Sequence, residues 1–203
     1  MNKYIGIPMT SENVLKILAG TKTQTRRVVT PSLPDGYEWS DKHLGFLRPD
    51  SNLMLLRKCR HGANGDYLWV REQLERREHQ YGVPSWAVYS ADVTGVEYKP
   101  GAKLGYCGHA VWEWKNKVLP ARYCPRWASR ITLKITDLTV ERLQDISDED
   151  CIAEGFPHKT GSEVEWRGWY KDLWDSLNKT RGYGWDDNPH VFVIKFRRLD
   201  EKR

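Results

Sequence analysis

Arginine and tryptophan side chains are the residues here whose chemistry suits ligand binding best. Arginine holds phosphate through paired donors and stacks on bases, and tryptophan offers a flat platform for them. Candidate residues for such contacts occur close together in the sequence as two adjacent arginines and two Trp–Arg pairs. They are Arg26, Arg27, Trp69, Arg71, Trp127 and Arg130. They predict a site for RNA or for a ligand with an aromatic base. A solvated surface with ordinary salt bridges is the alternative that the same residues leave open.

Overall charge narrows the kind of partner that such a site would take. The 203 residues include 32 Lys and Arg against 27 Asp and Glu, a formal net charge of +5 with a sequence pI near 9.0. A charge this modest does not imply binding along an extended duplex. Ten tryptophans and ten tyrosines favour stacking on bases, although a core position is the more frequent fate of any one tryptophan.

Composition excludes several classes of protein. Hydrophobic residues make up 39% and charged residues 29% of the chain, which excludes wholesale disorder and a membrane-embedded protein. The segment from Met1 to Gly6 has no apolar core of signal-peptide length, so we expect a cytoplasmic protein. No glycine-rich nucleotide motif and no Walker loop is present, and no cofactor is expected. The sequence leaves the oligomeric state open.

Two Cys-x-His steps raise the question of a metal site. They are Cys59-Arg60-His61 and Cys107-Gly108-His109. Zinc knuckles usually separate their ligands by two to four residues, so a one-residue gap is a weak signal. No metal site is predicted, and zinc binding by these four side chains stays open. The four cysteines are too scattered for a disulfide scaffold.

The first half of the chain predicts one helix, one clear strand and a long irregular segment. Thr10 or Ser11 can cap a helix that ends at Gly20, and its apolar positions have helical spacing. A polar loop then leads into a short strand. Leu68 and Val70 share one face of a half-buried strand. Residues 73–126 predict short β pieces and long loops, an insertion on a smaller core.

Regular patterns return in the second half. Residues 131–135 alternate as a strand, and Ser147 can cap a short helix that ends at Gly155. Aromatic residues from Trp166 to Trp174 recur at helical spacing and predict a core stripe. Residues 191–196 form a last apolar strand. Strands and helices without a βαβ rhythm predict one α+β domain over 1–203, with flanking helices around a barrel and an insertion at about 73–126.

Several segments resemble the ASCH family in the same order along the chain. The helix that ends at Gly20 is followed by Lys22-Thr23-Gln24-Thr25-Arg26-Arg27, which is similar to the signature of that family. The likeness continues at Gly65-Asp66, at the strand 131–135 and at the strand 192–196. Segments 127–130 and 143–147 resemble larger ASCH-like proteins of phages and prophages. The resemblance implies a β-barrel related to the PUA fold and an association with RNA.

The resemblance also implies a candidate catalytic set. Small bacterial ASCH proteins are amidohydrolases that act on N4-acetylcytidine through a lysine, a threonine three residues later and a glutamate near the end of a later helix. Lys22, Thr25 and Glu154 match these positions. A threonine hydroxyl needs a base to become a nucleophile, and lysine can serve only if its pKa is lowered. If Lys22 and Glu154 instead pair directly, both stay charged and would orient the substrate.

Three functions are therefore compatible with the sequence. The first is binding of RNA or of a modified nucleoside, with hydrolysis of the acetyl amide of N4-acetylcytidine as its sharper form. The second is a non-catalytic RNA-binding module, and the third is a ribonuclease. Lys22 could also merely neutralise helix carbonyls, and Thr25 could simply begin a strand.

Overall fold

The computed structural model describes residues 2–30, 38–40, 45–48, 53–55, 59–78, 84–157 and 163–199. The α-helices in these ranges are α1 (Ser11–Leu18), α2 (Asp148–Ala153) and α3 (Glu163–Asn178). The strands are β1 (Tyr4–Pro8), β2 (Gln24–Val28), β3 (Glu38–Ser40), β4 (Gly45–Arg48), β5 (Leu53–Leu55), β6 (Tyr67–Arg71), β7 (Leu74–Arg77), β8 (Trp86–Tyr89), β9 (Val118–Leu119), β10 (Thr132–Arg142) and β11 (His190–Leu199). This mixture confirms the predicted α+β class.

The chain divides into two compact units. The first comprises Met1–Gly20, Tyr67–Lys134 and Arg198–Arg203, and the second comprises Thr21–Asp66 and Ile135–Arg197. Hydrogen-bonded strands follow the order β1-β6-β10 in the first unit and β10-β11-β2 in the second, since β10 contributes to both. The strands form no closed ring within the described residues. No helix in those ranges is long and apolar enough to cross a membrane.

The first unit contains strands of two sheets, and one of these sheets packs on a buried apolar cluster. Strand β1 runs parallel to β6, and β6 runs antiparallel to the start of β10. Residues 74–119 supply another three-stranded sheet of this unit, in the order β8-β7-β9. Its buried cluster consists of Leu74, Ala87, Tyr89, Val96, Ala110, Trp112, Leu119, Cys124 and Ala128. The segment 73–126 therefore has short strands, as predicted, and buries apolar residues of its own.

The second unit pairs β2 with β11 and packs helices α2 and α3 beside them. Thr25 lies opposite Ile194 in the antiparallel register. The core cluster consists of Leu143, Ile146, Cys151, Tyr170, Trp174, Val191 and Val193. The aromatic stripe of α3 is thus core, as predicted, although Leu177 near the end of the helix is exposed.

Predicted capping residues begin and end the two short helices. The Thr10 hydroxyl accepts a hydrogen bond from the backbone N–H of Asn13, and the Ser147 hydroxyl accepts one from that of Asp150. After α2, Gly155 adopts a φ of +97°. This left-handed conformation costs glycine least, so the chain can turn sharply there.

Replacing Leu143 with alanine tests the core of the second unit. Leu143 is fully buried, so Leu143→Ala should lower the free energy of unfolding by about 2–5 kcal/mol. Leu177→Ala on an exposed part of α3 serves as the control and should change it by about 0.5 kcal/mol or less. Urea denaturation measures both, and equal losses in the two variants would contradict this core assignment.

Candidate functional site

Strand β2 places neighbouring side chains on opposite faces because the side chains of a strand alternate. Gln24 and Arg26 share one face, which meets helix α2. The Gln24 amide donates to the carbonyl of Asp150, and Arg26 donates to the Asp150 carboxylate. Thr25 and Arg27 share the other face. Alternate residues of the segment 24–27 therefore lie in two different environments, one on each face of β2.

A buried ion pair joins the start of this segment to the end of α2. Lys22 Nζ lies 2.6 Å from Glu154 Oε2 and 2.9 Å from the Glu154 carbonyl oxygen. The Lys22 and Glu154 side chains are 1% and 4% exposed. The structure thus brings together two of the three residues of the predicted catalytic set. Breaking this pair by removing one partner would leave an uncompensated charge in the interior.

Arg26 extends this pair into a network. Its Nη1 lies 3.3 Å from the second carboxylate oxygen of Glu154. Its Nη2 lies 2.6 Å from oxygens of both Glu141 and Asp150. Every Arg26 contact in this set is charge-assisted, which makes it stronger than a neutral hydrogen bond. Arg26 was predicted to contact substrate, and the structure places its guanidinium among these three carboxylates.

Tyr170 closes the apolar side of the network. The Arg26 guanidinium carbon lies 5.8 Å from the centre of the Tyr170 ring. Burial raises the pKa of Tyr170, and the nearby Glu154 carboxylate raises it further. Tyr170 therefore stays a neutral phenol and contributes a cation–π contact without adding a charge.

Thr25 belongs to the opposite face and has a different partner. Its hydroxyl oxygen accepts a hydrogen bond of 2.7 Å from Arg27 Nη1, which also donates to the Arg26 carbonyl. Thr25 is buried. Its hydroxyl is bonded to Arg27, so the structure does not link Thr25 directly to the Lys22–Glu154 pair.

His61 is a buried neighbour of Arg27. Its Nε2 accepts a hydrogen bond of 3.3 Å from Arg60 Nε. Burial, helped by the positive charges of Arg27 and Arg60, lowers the pKa of His61 to about 4. The ring is therefore neutral near pH 7. Sequence reasoning considered His61 only as a metal ligand and missed its place beside these arginines.

The predicted binding residues of the first unit have two different environments. Arg130 forms short ion pairs with Glu72 at 2.8 Å and Asp92 at 2.7 Å, and Trp127 packs partly buried against the core of its unit. By contrast, Arg71 stacks over Trp69 with its guanidinium carbon 4.6 Å from the ring centre. Arg130 and Trp127 therefore make internal contacts, whereas Arg71 covers the buried Trp69 ring and belongs to a surface described below.

Glu141 and Asp150 were not predicted as site residues. The backbone N–H of Asp150 donates to the Ser147 hydroxyl and so takes part in the predicted cap of α2. Its carboxylate additionally binds Arg26. Glu141 stands at the end of a long strand, where nothing in the sequence pattern distinguishes it from a solvated acid.

The Cys-x-His steps show no metal-binding geometry in the part of the chain that the structure describes. No group of three or more His, Cys, Asp or Glu side chains there could hold a metal ion. Cys59, Cys107, Cys124 and Cys151 are all free thiols. Cys151 is buried in the core cluster of the second unit, as predicted.

Two solved structures are similar to this chain at low sequence identity. No protein-family model matches it, and no curated protein matches it. An ASCH domain from Lactobacillus crispatus has 10% identity and a TM-score of 0.42, covering 97% of this chain and 79% of that one. A DUF984 protein from Enterococcus faecalis has 11% identity and a TM-score of 0.42, covering 98% and 77%. Likeness of this degree carries no argument about residues or activity.

Acid should destabilise the native state through His61. Its ordinary pKa is 6.5 and its native pKa is about 4, so the unfolded chain binds the proton first as the pH falls. Stability is complete above about pH 6.5 and is lost towards pH 4, by about 3 kcal/mol for this group. Urea denaturation at several pH values measures the loss.

His61→Gln serves as the comparison because glutamine does not titrate in this range. Carboxylates and His190 contribute equally to the pH dependence of both proteins. The wild type should therefore lose more stability than the variant between pH 6.5 and 4. Parallel curves for the two proteins would contradict the neutral, buried state of His61.

Proposed function

We propose that this chain binds single-stranded RNA through an Arg–aromatic surface on its first unit. This surface consists of Tyr4, Tyr67, Arg71, Arg122, Tyr123 and Arg126, which lie around the buried ring of Trp69. The observation that carries the proposal is that its rings and guanidinium groups alternate in contact. Such alternation suits bases that stack and phosphates that pair with arginine.

Ring contacts hold the Arg–aromatic surface together. Tyr4 and Tyr67 stack with ring centres 4.7 Å apart and planes 15° from parallel. The guanidinium carbon of Arg126 lies 5.2 Å from the Tyr4 ring centre and 5.4 Å from that of Trp69. Arg71 covers Trp69 from 4.6 Å. The parallel register of β1 and β6 explains the arrangement, because it pairs Tyr4 with Tyr67.

Gly6 makes room for this packing. A Cβ atom at Gly6 would meet Arg71 Nε and would lie 2.6 Å from Trp69 Cζ2. A side chain there would therefore push these two groups apart. The small residue lets Arg71 lie flat against both the strand and the indole ring.

Charge and exposure on the Arg–aromatic surface favour a nucleic acid. Tyr4 is 56% exposed and Tyr123 is 60% exposed, so large parts of both rings face solvent. Arg122 and Arg126 are exposed as well. Among the described residues, no carboxylate forms an ion pair with Arg71, Arg122 or Arg126. These guanidinium groups are available to phosphates, whereas Arg130 is neutralised by ion pairs with Glu72 and Asp92.

A second candidate function is hydrolysis of the acetyl amide of N4-acetylcytidine at Lys22, Thr25 and Glu154. The buried Lys22–Glu154 pair favours it, because charged groups in a dry site act strongly on a polar substrate. Lys22 would accept the hydroxyl proton of Thr25 as Thr25 Oγ attacks the acetyl carbon, and Glu154 would pass that proton to the departing amine. The C–N bond would break, and water would then release acetate from Thr25. Since Thr25 bonds to Arg27 here, the geometry supports RNA binding more directly.

RNA binding is tested by fluorescence anisotropy with a labelled single-stranded oligonucleotide. Tyr4→Ala should weaken binding by about 5- to 150-fold, because a base stacked on an aromatic ring contributes about 1–3 kcal/mol. The logarithm of the binding constant falls linearly with the logarithm of the salt concentration. Arg126→Gln should make this slope less steep by about 0.7, the value for one phosphate contact on a single strand.

Matched controls separate this surface from general charge. Tyr98→Ala and Arg77→Gln alter exposed residues of the same unit outside the Arg–aromatic surface, and both should bind as the wild type does. Equal losses in test and control variants would overturn the proposal. Gel analysis of the RNA after incubation distinguishes binding from cleavage, because a ribonuclease would shorten it.

Hydrolysis is tested by chromatography of N4-acetylcytidine after incubation with the pure protein. Wild type should release cytidine, and Thr25→Val should abolish release because it keeps the shape and removes the hydroxyl. Thr25→Ser keeps a nucleophile and should retain activity. Lys22→Met and Glu154→Gln should both be inactive, with circular dichroism to verify folding. No cytidine from the wild type, or full activity in Thr25→Val, would reject this function.

A further inference from the structure

The strands β1, β6 and the start of β10 form a sheet with two unlike faces. Leu68 of β6 lies opposite Leu133 of β10, and both residues are fully buried. Because side chains alternate along a strand, the neighbouring residues Tyr67 and Lys134 belong to the other face. That face also holds Tyr4, which lies opposite Tyr67 in the parallel register. One face is therefore core, and the other carries two aromatic rings and a lysine.

The register places Tyr4, Tyr67 and Lys134 in one row across the three strands. The backbone N–H of Val70 donates to the Ile131 carbonyl at 3.0 Å, so this pair is hydrogen-bonded and the Tyr67–Lys134 pair, three positions along, is not. Pairs of the second kind hold their side chains closest, with Cα atoms about 4.5 Å apart. Lys134 is therefore the direct neighbour of Tyr67 on the β10 side.

The charge of Lys134 is not neutralised within the described part of the chain. No described carboxylate forms an ion pair with this half-buried lysine. By contrast, Lys16 and Lys103 of the same unit pair with Glu12 and Glu113. Lys134 thus keeps its positive charge available on a face that carries aromatic rings.

Arg126 supplies a second positive charge, beside the other tyrosine. Its guanidinium carbon lies 5.2 Å from the ring centre of Tyr4, which stacks on Tyr67. Arg126 therefore accompanies the ring on β1, and Lys134 accompanies the ring on β6. Strands β1 and β10 are two strand spacings apart, about 10 Å. Two phosphates of one nucleic-acid strand match cations so arranged better than a single phosphate does.

We propose that Lys134 extends the Arg–aromatic surface onto β10 and binds a second phosphate of the RNA, so that the RNA runs across β1, β6 and β10. The inference rests on the proposed RNA binding and adds a residue and a direction to it. A sheet face with aromatic side chains suits single-stranded RNA, because unpaired bases can stack on the rings while basic groups pair with phosphates. Lysine binds phosphate as a point charge and reads no base. The ligand class is therefore a single strand with at least two phosphates, whose sequence Lys134 does not select.

The salt dependence of binding to a labelled single-stranded RNA oligonucleotide tests this contact. Lys134→Gln should make the slope of the logarithm of the binding constant against the logarithm of the salt concentration less steep by about 0.7. Lys134→Arg keeps the charge and should keep the wild-type slope. Lys115→Gln alters an exposed lysine of the same unit and should keep that slope as well. Circular dichroism verifies that each variant is folded. An equal slope in Lys134→Gln and Lys115→Gln would overturn the inference.

A double variant tests whether the two cations bind different phosphates. Lys134→Gln combined with Arg126→Gln should make the slope less steep by about 1.4, twice the value for one phosphate contact. A change of only about 0.7 would mean that both side chains share one phosphate, and it would overturn the path across the three strands.

The same measurements separate this inference from the proposed function. If Tyr4→Ala and Arg126→Gln weaken RNA binding while Lys134→Gln behaves as the wild type does, the RNA site stands and the role of Lys134 is rejected. A wild-type protein that binds no single-stranded RNA would overturn both.

Discussion

The second unit depends on the two ion pairs that the buried Glu154 carboxylate forms. One of its oxygens binds Lys22 and the other binds Arg26, so a single buried acid fixes both ends of the segment 22–26. Removing one partner would leave an uncompensated charge in the interior, which is costly. Because the segment is held there, strand alternation turns Thr25 and Arg27 towards the opposite face. The positions of Thr25 and of Arg27 beside His61 are therefore consequences of the same anchor.

Local sequence signals predicted the elements that position this anchor. Thr10 and Ser147 cap helices because their hydroxyls accept hydrogen bonds from the first unpaired backbone N–H groups. A threonine or serine before a helical pattern is recognisable in the sequence. Lys22 and Glu154 were paired through a family resemblance, since 132 residues separate them and no periodicity links them. The contacts of Arg26 with Glu141 and Asp150 depend on where three elements meet, so local patterns contain no trace of them.

The contacts of the arginines in the first unit also could not be predicted from local sequence patterns. Arg126 and Arg130 are four residues apart, yet one stacks on exposed rings and the other is neutralised by Glu72 and Asp92. Glu72 follows a buried strand, and only the fold brings it to Arg130. Burial raises the pKa of Glu72, an effect that the hydrogen bond and charge of Arg130 oppose. Composition thus indicates a basic, aromatic protein, while tertiary contacts decide which arginines remain available.

Helix α2 has six residues, about half the length at which an isolated helix becomes marginally stable in water. Its last turn is held by Lys22, which donates to both the carbonyl and the carboxylate of Glu154. The backbone N–H of Thr23 also donates to the Ala153 carbonyl. Helix and segment therefore order together as one cooperative opening unit. Opening of the buried pair would therefore break contacts that hold the end of α2, so access to Lys22 and Glu154 is coupled to the order of that helix.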